Sequence, residues 1–82
     1  MSVIYYSASD HTLSRRNRDD GPTLEISVSL GNGLNLITVD ALTYTVCVTT
    51  FTNREKAYKA AYAAHKAGLA SLMIMNLEGF DR

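Results

Sequence analysis

Residues 23–30 alternate strictly between apolar and polar. Leu24, Ile26, Val28 and Leu30 are separated by Glu25, Ser27 and Ser29, and a period of two places the two sets on opposite faces of a strand. One dry face and one wet face are expected. Gly31-Asn32-Gly33 follows, residues that tolerate the positive φ of a tight hairpin. Residues 34–40 then read as the returning strand. After a short connection at Asp40-Ala41-Leu42, residues 43–51 (TYTVCVTTF) are dense in β-branched side chains and supply a third strand. The three make an antiparallel meander. Val3-Ile4-Tyr5-Tyr6 is a separate N-terminal strand. Residues 7–22 between them are polar apart from Ala8 and Leu13, a long loop for so small a domain and therefore either functional or partly flexible.

At residue 52 the period changes. Thr52-Asn53-Arg54-Glu55 has the form of a capping box with Thr52 as N-cap. Strong helix formers continue to Lys66, and Gly68 stands where a C′ glycine ends a helix. At about 100° per residue, Ala57, Ala61, Ala64, Tyr58, Tyr62 and His65 share one side, opposite Glu55, Lys56, Lys59, Ala63 and Lys66. The alanines are expected to let the helix lie close on a sheet, with the tyrosines filling its flank. Residues 69–77 (LASLMIMNL) form the last strand, with Leu72 and Ile74 on one face and Met73, Met75 and Leu77 on the other. A strand apolar on both faces is central or covered twice. One helix covers only one face, so either the long N-terminal loop folds over Met73 and Met75 or a second subunit does; the second is the preferred expectation and makes the protein a homodimer. The predicted fold is α+β in the order β-loop-β-β-β-α-β. The meander and the N- and C-terminal strands form one antiparallel sheet, with one amphipathic helix packed on a face and a right-handed crossover to the last strand.

Composition narrows the chemistry. The 82 residues suit a single small domain spanning 1–82, with a core too modest for a wide stability margin. The single cysteine, Cys47, excludes an intrachain disulfide. Cys47, His11 and His65 match no zinc-ligand spacing. No metal and no cofactor are expected, and Cys47 between Val46 and Val48 reads as a small buried hydrophobe. Formal net charge is zero, so the bulk attraction expected of a dedicated nucleic-acid binder is missing. The first ten residues have no secretory pattern, and no run approaches the roughly 20 apolar residues of a membrane span. With an unpaired cysteine, these features predict a cytoplasmic protein with no membrane contact.

Three groups of residues are candidates for function. Arg15, Arg16 and Arg18 stand beside Asp19, Asp20 and a Gly-Pro turn. The adjacent aspartates cancel the local field, which fits a salt-laced loop or a protein contact better than a grip on phosphate. Tyr5, Tyr6 and Phe80 offer large, rigid area of the kind enriched at interfaces. Lys56, Lys59 and Lys66 form a basic helix face. It could follow a phosphate backbone, but exposed helical lysines are common and no aromatic is expected among them to stack bases. His65 is expected to bond a carbonyl at the helix boundary. The acids are scattered and residues 31–33 lack the GxGxxG spacing, so no catalytic residue is assigned and the protein is not read as an enzyme.

The organisation, a short antiparallel meander, one alanine-rich helix and no catalytic signature, resembles that of small phage-encoded inhibitors of host defence, including some anti-CRISPR proteins. The likeness is of architecture and size and carries no residue over. It implies a protein that works by binding another protein and inhibiting it. A nucleic-acid-binding accessory protein, using the lysine face and the arginine loop, is the alternative.

Overall fold

A computed structural model describes residues 2–17 and 21–77. The elements are β1 (Ser2–Ser7), β2 (Thr12–Ser14), β3 (Thr23–Val28), β4 (Gly33–Val39), β5 (Val46–Phe51), α1 (Arg54–Lys66) and β6 (Ala70–Asn76). The fold is α+β with antiparallel strands and one helix packed on them, as the pattern implies. The strands are nevertheless divided between two three-stranded sheets, ordered β2-β1-β3 and β5-β4-β6.

The division overturns the expected meander. β3 pairs with β1, setting Ile26 opposite Ile4 and Leu24 opposite Tyr6. β4 pairs with β5 and β6 instead. Residues 31–33 are therefore a crossing between sheets and not a hairpin turn. Their glycines serve close approach. A Cβ on Gly31 would lie 2.6 Å from the Thr50 hydroxyl, and one on Gly33 (φ +132°) would lie 2.6 Å from the Phe51 carbonyl oxygen.

The side chain that fixes this crossing is Asn35, wholly buried within β4. Its Oδ1 accepts from the Gly31 N–H (2.8 Å) and the Thr50 hydroxyl (2.7 Å). Its Nδ2 donates to the carbonyls of Gly31 (2.9 Å) and Gly33 (3.2 Å). A buried amide is tolerated only when its donors and acceptors are met in this way.

The long N-terminal loop is also shorter than expected. It contains β2, which closes a hairpin on β1 with Leu13 opposite Tyr6.

The main core lies between the sheets. Ile4, Tyr6, Leu13 and Val28 of the first meet Ile37, Val39, Ala70 and Ile74 of the second. By parity, Leu34 and Leu36 point to the other face of the second sheet, where α1 packs against its strands and buries Ala57 and Ala64. The second sheet is thus covered on both sides within one chain. Met73, opposite Leu36, is half-buried on the helix side. This corrects the reason given for a homodimer: the helix covers the face that carries Met73, and the first sheet covers the opposite face, with Leu72 and Ile74, so neither face calls for a second subunit. Met75, near the strand end, is exposed.

The helix differs from expectation at its start and on its flank. Asn53, not Thr52, is the N-cap, its Oδ1 accepting from the N–H groups of Glu55 (2.9 Å) and Lys56 (3.3 Å). Asparagine is the stronger cap of the two. At the other end Gly68 (φ +80°) donates to the His65 carbonyl and Leu69 to that of Ala64, both at 3.0 Å. This is the paired C-terminal bonding of a Schellman stop. The buried stripe is Ala57 and Ala64, with Ala60 and Ala61 half-buried, while Tyr58, Tyr62 and His65 are exposed. The helix is turned by roughly 70° from the expected face, since bulky tyrosines would hold its backbone off the sheet where alanines let it approach.

Candidate binding groove

Across the inner face of the first sheet runs the row Leu13, Tyr6 and Leu24. Leu13 and Tyr6 are buried, but Leu24 is 45% exposed. The dry face therefore runs out from under the second sheet and opens as a groove of about 440 Å³, lined by Tyr6, Ala8, Pro22, Thr23, Leu24 and Tyr44. No lining residue is charged, so the space suits an apolar occupant.

Its far wall comes from the loop between β4 and β5. The Asp40 carboxylate accepts from the Leu42 N–H at 2.8 Å. The Asp40 N–H donates to the Thr45 carbonyl (3.0 Å), and the Tyr44 N–H to the Asp40 carbonyl (2.7 Å). Tyr44 sits at φ +56°, a conformation unfavourable for a bulky residue and retained only where its surroundings fix it. Its ring meets that of Tyr6 edge-on, with centroids 6.1 Å apart. The same loop leaves Leu42 92% exposed. A loop held by its own hydrogen bonds thus presents leucine to solvent.

The floor is braced from behind by His11, a residue whose sequence context is merely polar. His11 (φ +55°) places Nε2 2.8 Å from the Gly68 carbonyl and Nδ1 2.9 Å from the Tyr6 hydroxyl. A carbonyl only accepts, so Nε2 carries a proton and donates to Gly68, and the Tyr6 hydroxyl, which can donate or accept, completes the bond at Nδ1. One imidazole therefore ties the β1–β2 turn to the end of α1 and orients the Tyr6 ring.

Among the described residues, those singled out from sequence are not gathered into one site. Tyr5 and Tyr6 point to opposite faces of β1: Tyr5 is half-buried on the outer face, while Tyr6 is core and groove floor. Arg15 and Arg16 are exposed just after β2, where the Arg16 N–H donates to Ser14 Oγ at 3.1 Å. Arg18, Asp19, Asp20 and Phe80 lie outside the described residues. Lys56, Lys59 and Lys66 are exposed on α1. Lys59 lies 3.5 Å from the Glu55 carboxylate, and the Lys66 ammonium sits 5.4 Å from the centre of the Tyr62 ring. His65 bonds the Gly68 N–H only through its backbone carbonyl. Cys47 is exposed, contrary to its apolar sequence context, because β5 is an edge strand.

Among the described residues, no group of three or more histidine, cysteine, aspartate or glutamate side chains is arranged to hold a metal ion. No helix among them is long and apolar enough to cross a membrane. Leu24 and Leu42 escaped the sequence reading as binding residues. The one usable signal was a leucine directly after Asp40-Ala41, in a connection where polar residues are the rule. Compared with known proteins, the chain matches no protein-family model, no curated protein and no solved structure.

Proposed function

We propose that this protein is a non-catalytic module that binds another protein, receiving an uncharged apolar side chain of its partner in the groove between Leu24 and Tyr44. The observation that carries this reading is Leu42, 92% exposed on a loop whose backbone is hydrogen-bonded in place. An exposed leucine two residues from the Tyr44 that lines the groove, on a hydrogen-bonded loop, is what a binding surface provides before its partner arrives. Inhibition is the form of activity that best suits such a module, since covering a partner's working surface needs no chemistry. The exposed thiol of Cys47 fits a reducing compartment, the cytoplasm.

A photo-crosslinking residue placed at position 42 tests the reading in cells. A discrete cross-linked species is expected, lost when Leu24→Glu puts a charge in the groove and absent when the crosslinker stands at position 59. No species from position 42, or equal yields from 42 and 59, would reject it.

One observation favours nucleic acid as a second reading. The turned helix leaves Tyr58 and Tyr62 exposed among Lys59 and Lys66, providing the aromatic surface for stacking that the sequence reading did not expect. Arg15, Arg16 and Arg18 would add charge. Titration with labelled DNA and RNA at low and moderate salt decides it, and no retention at low salt eliminates it.

A further inference from the structure

The two sheets have four outer strands, and three of them are guarded against pairing with another chain. β2 has three residues, and Arg15 and Arg16 follow it directly. β3 is entered from Pro22 and carries Glu25. β6 is uncharged as well, but all of its residues except Met75 are buried or half-buried, with β2 and α1 packed close to it. Short length, charge, proline and cover are the means by which natural sheets protect their edges.

β5 has none of these. Val46, Cys47, Val48, Thr49, Thr50 and Phe51 include no charge and no proline. Four of the six are exposed, and among the described residues no strand lies on the side away from β4. Its outward N–H and C=O groups are a ready template for another strand.

We infer that β5 is a self-pairing edge, and that its occupant is β5 of a second copy of this chain, running antiparallel across a two-fold axis. Such pairing sets a strand against itself, so a charge near the middle of the strand is brought close to its own copy. An uncharged strand satisfies this condition, whereas Glu25 makes β3 fail it. Zero formal net charge removes long-range repulsion between copies. The product is a six-stranded sheet built from two three-stranded ones. This edge is not β6, where the sequence pattern placed the contact, and it does not use the groove, so either proposal can fail alone.

Sedimentation of the wild-type chain should show its mass rising from one chain toward two as concentration is raised through the micromolar range. The Cys47→Lys/Thr49→Lys and Cys47→Glu/Thr49→Glu variants change exposed side chains on one face of β5. Each alone should lose self-association by at least about tenfold, equivalent to roughly 1.4 kcal/mol. An equimolar mixture of the two should form one-to-one pairs. In the unaltered chain, amide hydrogen exchange in Val46–Phe51 should slow as concentration rises, which requires no variant to fold. A wild-type chain that stays single at millimolar concentration, variants that pair like the wild type, a mixture that remains single, or exchange indifferent to concentration would each overturn the inference.

Discussion

β4 and β5 are neighbours in register, similar in length and both rich in β-branched residues, yet they live in different surroundings. In β4, Leu34, Asn35, Leu36, Ile37 and Val39 are buried. In β5 nothing is buried, and only Val46 and Phe51 are even half-covered. β4 lies between two strands and between two layers, with the first sheet on one face and the helix on the other. β5 has one neighbour and reaches beyond the cover on both faces. A stretch such as VCVTTF states that it will be a strand; whether it becomes core depends on its place in the sheet.

The largest expected effect sharpens this contrast at a single cross-strand pair. Ile37 is directly opposite Val48. Ile37 is 0% exposed and Val48 is 36% exposed. Ile37→Ala should cost about 3 kcal/mol of stability, the usual scale for emptying a closed core site. Val48→Ala should cost about 1 kcal/mol or less, because solvent already reaches it. Urea denaturation of both variants checks this, and equal losses would mean that β5 is as enclosed as β4.

The next pair contrasts polar side chains. Asn35 is opposite Thr50, and the two are hydrogen-bonded. Asn35→Ala would take from the Gly31 amide and the Gly33 carbonyl their bonds to Asn35 in a half-buried site, while the Gly31 carbonyl keeps its bond from Asn76 Nδ2, at about 2 kcal/mol. Thr50→Val removes one donor and keeps the shape, leaving the Asn35 oxygen its bond from Gly31, so about 1 kcal/mol is expected. Melting curves decide the ranking. The reverse order would mean that the crossing at residues 31–33 is held by something other than Asn35.

These pairs also show where sequence reasoning ran out. The alternation of Leu24, Ile26 and Val28 correctly describes a strand with one dry face, and Gly68 correctly ends the helix. Neither says which strand lies alongside, because pairing is set by long-range contact. Gly31 and Gly33 suggest a hairpin by composition, but the residue that decides against it is Asn35, legible only once Thr50 and Gly31 are beside it. The helix face was misjudged because an alanine-rich sequence has a shallow amphipathic minimum, so counting tyrosine as apolar rotates the answer. The groove was illegible for a similar reason: Leu24 belongs to the dry row, and only the extent of the second sheet reveals that the row outruns its cover. His11 carried no local signal at all, since its partners, Tyr6 and Gly68, come from β1 and the end of α1.

The smallest expected effect concerns Cys47, where context and exposure disagree most. Flanked by two valines and opposite Thr38, it faces the same side of the second sheet as Leu34 and Leu36, yet it is exposed. Cys47→Ser should therefore change stability by no more than about 0.5 kcal/mol, as for a surface position, where a core cysteine would lose more. Maleimide should modify Cys47 in the folded protein nearly as fast as in denaturant, measured at nanomolar concentration so that self-pairing does not enter. Protection until unfolding would place β5 under cover, and the difference between the two strands would then lie in their partners rather than in their exposure.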